Sequence, residues 1–124
     1  MIIKIKNLRL KAIIGVYESE RIDRQDIIVN VDMEFDCDKA IESDHISETI
    51  DYDIITKRIM QLVESSRYFL LEKLATNILK LIIEENNITK ARVEVDKPNA
   101  IPLADSVSAI CNYNKYETNE NKNK

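Results

Sequence analysis

The sequence is poor in the residue types from which several classes of site are built. Among 124 residues it has one glycine, two prolines, no tryptophan, two cysteines and one histidine. Two cysteines, Cys37 and Cys111, cannot form a disulfide framework or a four-thiolate metal site. A single histidine, His45, cannot supply the two or three imidazoles of a structural zinc site or of a histidine-rich catalytic metal site. We therefore predict a chain with no metal centre of its own and with both thiols packed rather than bridged.

Long apolar runs and an excess of basic charge are missing as well. The 18 basic and 22 acidic side chains give a net charge of −4, so neither nucleic acid nor a membrane surface is expected as a partner. The longest unbroken apolar stretch, residues 68–71, is too short to span a bilayer, and the N-terminus lacks the apolar core of a signal peptide. The expected location is the cytoplasm. A content of 44% hydrophobic and 32% charged residues predicts one globular domain over residues 1–113 and a disordered polar tail over 114–124.

The apolar pattern predicts the order strand, strand, helix, helix, strand, strand. Alternation over residues 3–14 changes parity between Ile5 and Leu8, which is typical of a β-bulge. A second, long strand has apolar residues at every other position from Ile27 to Cys37. Helical spacing then follows in two segments and alternation returns in two more: 54–63, 70–82, 91–95 and 107–113.

This order favours an α+β domain with both helices on one face of an antiparallel sheet. The two edges of such a sheet would invite pairing with another chain, and a closed ring of subunits would cover them, so we expect a symmetric homo-oligomer. Gly15, the only glycine, indicates either a simple strand terminator or a position of positive φ or close approach. Asp51 or Asp53 is suited to cap the first helix, and Asn86 lies near the expected end of the second.

Four residues are not explained by packing: Glu20, Tyr52, Glu72 and Lys97. Plain interpretations exist, namely solvated charges for the three charged residues and half-buried packing for the tyrosine. The alternative is chemistry. The two oxygens of Glu72 would match a pair of adjacent N–H groups, as on the guanidine-like edge of a purine or pterin. Lys97, at a sheet rim before Pro98, could act as a base or proton relay. Composition and spacing leave this choice open.

Five short segments occur in order between Ile3 and Cys111: Ile14–Arg21, Gln25, Thr49–Tyr52, Leu70–Ala75 and Lys97–Ile101. Together they resemble the dihydroneopterin aldolase family. The resemblance implies the tunnelling fold, a four-stranded sheet in β-β-α-α-β-β order with two helices on one face, assembled into tetrameric rings that stack as octamers. It also implies a lyase of folate biosynthesis, which cleaves 7,8-dihydroneopterin by a retro-aldol reaction to 6-hydroxymethyl-7,8-dihydropterin and glycolaldehyde. No metal, Schiff base or other cofactor is implied.

The resemblance further implies a role for each site residue. Glu72 and the backbone of Leu71 would hold the 2-amino and N3 edge of the pterin. Tyr52 would reach the site from a neighbouring subunit and act in proton transfer to the product carbon, and Lys97 would serve as acid–base through water. Glu20, near the substrate side chain, would complete the catalytic set. The implied substrate-binding residues are Glu20, Ile50, Asp51, Tyr52, Leu71, Glu72 and Lys97.

A related enzyme provides an alternative. Segments 5–10, 24–27, 70–74 and 104–108 are similar to the paralogous dihydroneopterin triphosphate 2′-epimerase, which uses the same bond cleavage and lets the aldehyde re-add on the other face. The Lys97-Pro98 pair looks more like the aldolase branch, which we favour at this stage. One site could carry both activities, because they share an intermediate. A non-catalytic pterin-binding or scaffold oligomer of the same fold is the second alternative.

Overall fold

A computed structural model, which describes residues 1–85 and 87–117, contains one four-stranded antiparallel sheet with helices packed on one face. The strands are hydrogen-bonded in the order β1-β2-β3-β4. Their bounds are β1 Ile2–Ala12, β2 Gln25–Phe35, β3 Ile88–Lys97 and β4 Val107–Asn114. The helices are α1 Asp38–Ser43, α2 Tyr52–Ser65 and α3 Leu71–Ile82, with 3₁₀ turns at Glu18–Arg21 and Ile46–Glu48.

The α+β class and the predicted order are confirmed, with one addition. The short helix α1 lies in the polar segment for which the sequence pattern predicted no element. The predicted end of the second helix at Asn86 falls outside the described residues, and α3 itself ends at Ile82. The predicted polar tail lies mostly outside them too, since the description stops at residue 117, three residues beyond β4. None of the described helices has the length and hydropathy needed to cross a membrane.

The predicted bulge in β1 is confirmed. The pairing of β1 with β2 shifts register between Ile5 and Leu8, and Asn7 adopts a left-handed backbone with φ 52°. Asparagine tolerates this conformation, and here its backbone N–H donates to Asn30 Oδ1 at 2.8 Å. The amide of Asn30 in turn donates to Asn7 Oδ1 at 3.3 Å. The bulge thereby keeps the apolar side chains on both sides of it facing the helices.

The core lies between the sheet and the two long helices. Every second residue of β2 is buried, as the alternation predicted, whereas its other face carries surface ion pairs to neighbouring strands, such as Lys4–Asp32 and Lys90–Glu34. Each large aliphatic side chain that is fully buried contributes about 1.5–3 kcal/mol. The largest of these are Ile14, Ile27, Met33, Ile50, Ile55, Ile59, Leu74, Ile78, Ile82, Val29, Val31 and Val63.

Two local expectations have mixed outcomes. Of the two candidate caps, Asp51 and Asp53, it is Asp51 that caps α2: its carboxylate accepts from the backbone N–H groups of Asp53 and Ile54 at 3.1 and 3.3 Å. The prediction that the second strand reaches Cys37 is wrong: β2 ends at Phe35, and Cys37 is the residue immediately before α1. Both cysteines are free. Cys37 is buried, and Cys111 is half-buried in β4.

The two ends of the sheet carry different loops. At one end β1 and β3 finish and β2 and β4 begin, and there Ala12 pairs with Gln25. The segment that leads into α2 lies at the opposite end, because Thr49 lines a cleft there with Met1 and Phe35. This separation decides which of the expected site residues one chain can bring together.

Candidate active site

A cleft of about 640 Å³ opens at the end of the sheet where β3 finishes and β2 begins. Its walls are the loop between β1 and β2, the start of α3, and the end of β3 with the loop after it. Four of the seven expected site residues line it: Glu20, Leu71, Glu72 and Lys97. The fold therefore brings into one cleft residues that are far apart in the sequence.

An ion pair between Glu20 and Lys97 lies in this cleft. Lys97 Nζ donates to Glu20 Oε2 at 2.7 Å, and the two side chains are only 17% and 12% exposed, glutamate first. The same carboxylate accepts from Gln25 Nε2 at 2.9 Å and from the Tyr17 backbone N–H at 3.3 Å. The Lys97 hydrogen bond above all lowers the pKa of Glu20, and together with Gln25 and Tyr17 it outweighs the opposing effect of burial. The cleft thus holds an ionised carboxylate with a lysine fixed beside it.

The single glycine makes room for that carboxylate. Gly15 has φ 126°, which L side chains rarely adopt, and a Cβ at this position would overlap the Glu20 carboxylate. Gln25 Nε2 also donates to the carbonyl of Ile14 at 2.6 Å, which ties the end of the β1 segment to the start of β2. Both features anticipated for the only glycine, positive φ and close approach, are confirmed.

The start of α3 presents donors and an acceptor side by side. Leu70 is the N-cap residue, and its side chain makes no capping hydrogen bond. In the chain as far as it is described, the backbone N–H groups of Leu71 and Glu72 have no protein acceptor. The exposed Glu72 carboxylate lies next to them in the first turn. Such a pair can hold a heterocycle edge on which N–H donors adjoin a carbonyl oxygen.

The other three expected residues do not reach this cleft within one chain. Ile50 is buried, with 2% exposure, Tyr52 is 57% exposed at the start of α2, and the Asp51 carboxylate is occupied in capping. Thr49 belongs to the opposite end of the sheet. The ten residues of β3 separate the two ends by about 30 Å. A site that used Tyr52 together with Lys97 would need a second chain.

Two residues with a part in this geometry received no role from the sequence. Gln25 supports Glu20, and Arg21 links the β1–β2 loop to the segment before α3. Both lie in segments that carry the family resemblance, but the resemblance implied no role for either of them. For Arg21 the only available signal was its position directly after Glu20 in the sequence.

The single histidine does not line the cleft. His45 is exposed and directly precedes the 3₁₀ turn Ile46–Glu48. Over residues 1–85 and 87–117, no group of three or more histidine, cysteine, aspartate or glutamate side chains is arranged to hold a metal ion. That the reaction needs no cofactor stays a prediction.

Comparison with known proteins identifies the family of this chain. The sequence matches the dihydroneopterin aldolase family over residues 3–112, so the chain belongs to that family. It is 44% identical over 114 residues to the dihydroneopterin triphosphate 2′-epimerase of Escherichia coli K12, covering 92% of this chain and 95% of that protein. It is 29% identical over 109 residues to the dihydroneopterin aldolase of the same organism, covering 88% and 89%.

A solved structure supports the same assignment. The E. coli dihydroneopterin aldolase in complex with neopterin superposes with a TM-score of 0.87 at 28% identity, covering 91% of this chain and 98% of that one. The expected family, the enzyme class and the fold are therefore confirmed.

Proposed function

We propose that this protein cleaves the C1′–C2′ bond of a 7,8-dihydroneopterin side chain by a retro-aldol reaction, as a lyase of folate biosynthesis. The observation that carries the proposal is the shared cleft, in which the Glu20–Lys97 pair faces the start of α3 with Leu71 and Glu72. The Glu20–Lys97 pair supplies an acid–base group, and the start of α3 supplies hydrogen-bonding groups that match an edge of the ring. Family membership and the neopterin complex of the E. coli aldolase support a pterin as the ligand.

The ring is held at the start of α3. Glu72 accepts hydrogen bonds from the 2-amino group and from N3, and the Leu71 N–H donates to the adjacent ring carbonyl oxygen. Hydrogen bonds to a charged carboxylate are roughly twice as strong as neutral ones, and the bidentate arrangement also fixes the plane of the ring. The side chain of the substrate then extends toward Lys97 and Glu20.

The reaction needs one base and one acid. The pair formed by Lys97 and Glu20 takes the proton of the 2′-hydroxyl through water, and the C1′–C2′ bond breaks with its electrons entering the ring C=N system as an enamine. Glycolaldehyde leaves. A proton returned to the enamine carbon yields 6-hydroxymethyl-7,8-dihydropterin, so that the enzyme ends with the same number of protons.

A second copy of the chain completes the site. Tyr52 assists reprotonation from a neighbouring subunit, and the Ile50 backbone and Asp51 line the pterin from the same side. The proposal is supported by the position of these residues, far from the cleft of their own chain, and by β1 and β4, which are the two edges of the sheet in one chain. The proposed assembly is a tetrameric ring, two of which stack as an octamer, and the cytoplasm remains the proposed location.

Epimerisation of dihydroneopterin triphosphate is the second candidate function. The identity to the E. coli epimerase, 44%, exceeds the 29% to the aldolase of the same organism. The first half of the two reactions is the same, and in epimerisation the aldehyde re-adds to the opposite face instead of leaving. Whether the aldehyde stays in the site or leaves it thus decides between epimerisation and cleavage.

The test is incubation of the purified protein with dihydroneopterin and with its triphosphate, separately, followed by product identification. Formation of 6-hydroxymethyl-7,8-dihydropterin and glycolaldehyde demonstrates the aldolase, and a 2′-epimer of unchanged mass demonstrates the epimerase. Lys97→Ala should lower the rate of either reaction by about two orders of magnitude or more. The matched control is Lys90→Ala, a lysine of the same strand that pairs with Glu34 at 3.8 Å on the surface. Conversion of neither substrate contradicts the proposal.

A further inference from the structure

Arg21 joins two walls of the cleft that are distant in the sequence. Its guanidinium donates to three backbone carbonyls: Nη1 to Gly15 O at 3.0 Å and to Tyr68 O at 3.1 Å, and Nη2 to Arg67 O at 2.6 Å. The carbon of the guanidinium lies 4.0 Å from the centroid of the Phe69 ring, within the range of a cation–π contact. One planar group thus holds both segments at once.

Each of the two segments carries or leads into a part of the candidate site. Arg21 directly follows Glu20, so fixing its position also fixes the backbone that carries the carboxylate. Residues 67–69 lead into the Leu71–Glu72 start of α3. The segments are linked further by the Gly15 N–H, which donates to Tyr68 O at 3.2 Å, and by Arg67, which donates to Arg21 O at 2.9 Å.

The recorded hydrogen-bond partners of Arg21 are backbone carbonyls. Within the described residues it forms no ion pair with a carboxylate, although Glu18 and Asp23 lie within three positions of it in the chain. Its Nη1 and Nη2 groups instead donate to three carbonyl oxygens from one planar fork, which a lysine cannot reproduce because its ammonium is a single point donor. Surface charge alone would not require this geometry.

We propose that Arg21 is a positioning residue that sets the distance between the Glu20–Lys97 pair and the Leu71–Glu72 ring anchor. This inference rests on the proposed function, because it supposes that a ligand contacts both walls together. A displacement of about 1 Å between reacting groups can cost roughly a hundredfold in rate. Arg21 therefore affects both affinity and turnover without touching the reacting atoms.

The experiment compares Arg21→Lys and Arg21→Ala with the parent protein, and Arg58→Ala serves as the matched control. Arg58 also links two segments, through a 2.5 Å ion pair with Glu84, but it lies on α2 away from the cleft.

Neopterin affinity is measured by fluorescence titration, kcat and KM by turnover of dihydroneopterin and its triphosphate, and Tm by thermal unfolding. In Arg21→Lys we expect a Tm near that of the parent, an affinity lowered about tenfold and kcat lowered further. Arg58→Ala should leave affinity and kcat unchanged.

Chemical rescue separates positioning from simple loss of stability. Low millimolar guanidinium should restore part of the neopterin affinity of Arg21→Ala, whereas equal concentrations of sodium chloride or urea should not. A folded Arg21→Lys protein with parental affinity and kcat would overturn the proposal, and so would a folded Arg21→Ala protein that guanidinium does not restore. If Arg21→Ala does not fold, Arg21→Lys decides alone. A parent that binds neopterin but converts neither substrate refutes the proposed function and leaves the affinity test of Arg21 intact.

Discussion

Lys97 and Glu20 lie 77 positions apart in the chain and share a 2.7 Å hydrogen-bonded ion pair inside the cleft. Their side chains are 12% and 17% exposed, whereas those of the surface pair Lys11–Asp26 are 69% and 58% exposed at 3.6 Å. Water screens the second pair far more effectively than the first. Because Gln25 also donates to the Glu20 carboxylate, the geometry of the Glu20–Lys97 pair is fixed before a substrate arrives.

The pair should make stability depend on pH. The pKa of Glu20 is lowered below its ordinary 4.5 in the folded protein, so its ionised form stabilises the fold above that value. This contribution is lost as the pH falls through the lower, folded-state pKa. We expect the difference in unfolding free energy between the parent and Glu20→Gln to be constant at neutral pH and to shrink below pH 4.5.

The control for this measurement is Asp26→Asn, which removes the carboxylate of the surface pair and should cost less than about 1 kcal/mol. Chemical denaturation of the three proteins over the acidic range provides the data. A parent-to-Glu20→Gln difference that persists unchanged into strong acid would contradict the assignment of the ion pair.

Gly15→Ala should damage both stability and activity. The new Cβ would overlap the Glu20 carboxylate, and the backbone at φ 126° would be strained. We expect a loss of about 1–3 kcal/mol of stability together with a marked loss of turnover, because Glu20 must move away from Lys97. Thermal unfolding and steady-state rates measure both effects. In the double variant Gly15→Ala/Glu20→Ala the new Cβ has no carboxylate to overlap, so of the two costs of Gly15→Ala only the backbone strain remains. The double variant should therefore lose less stability than the sum of the losses in the two single variants. Full additivity would argue against the contact.

The parts of the fold that sequence could predict are those set by local periodicity. Alternation located the strands, the parity change between Ile5 and Leu8 located the bulge, and Asp51 marked the start of α2. Helix α1 escaped prediction because its six residues carry no buried side chain and hence no apolar period. The extension of β2 to Cys37 was wrong for a related reason, since a buried residue after a strand continues the alternation even where the ladder has ended.

The candidate site was only partly accessible to the same reasoning. Spacing alone could not connect Glu20 with Lys97, and the residues were grouped by their family resemblance. The role of Arg21 depends on carbonyls 46 and 47 positions away, and a backbone carbonyl leaves no trace in the identity of its residue. Contacts of this kind become visible only when the chain is folded.

The cysteines should be dispensable for chemistry. Cys37 is buried behind the end of β2, and burial raises the pKa of the Cys111 thiol, which keeps it in its less reactive form at neutral pH. Cys37→Ala and Cys111→Ala should each retain turnover and lose about 1 kcal/mol of stability. Steady-state rates and denaturant unfolding check this directly. Loss of turnover in a folded variant would reveal a thiol-dependent step.

Binding and chemistry should respond to different substitutions. Glu72→Ala removes the acceptor of two ring N–H donors, so neopterin affinity should fall about a hundredfold or more, as expected for a charge-assisted pair worth roughly 3 kcal/mol. Lys97→Ala should leave neopterin affinity almost unchanged while turnover falls by about two orders of magnitude or more. Fluorescence titration beside steady-state rates separates the two. Parental affinity in Glu72→Ala, or most of the rate retained in Lys97→Ala, would refute the corresponding role.

A shared site can be tested by mixing inactive subunits. Light scattering should first give a tetramer or octamer, since a fully active monomer would exclude a site that uses Tyr52 from another chain. Lys97→Ala and Tyr52→Phe chains are then refolded together. If each site takes Lys97 from one chain and Tyr52 from its neighbour, about one quarter of the sites in randomly mixed rings contain both native residues, and activity should reappear.

The matched control mixes Lys97→Ala with Glu72→Ala, whose residues line the cleft of the same chain. Every site in that mixture lacks one of the two, so no activity should return. Recovery in both mixtures, or in neither, would contradict the proposed division of the site between subunits.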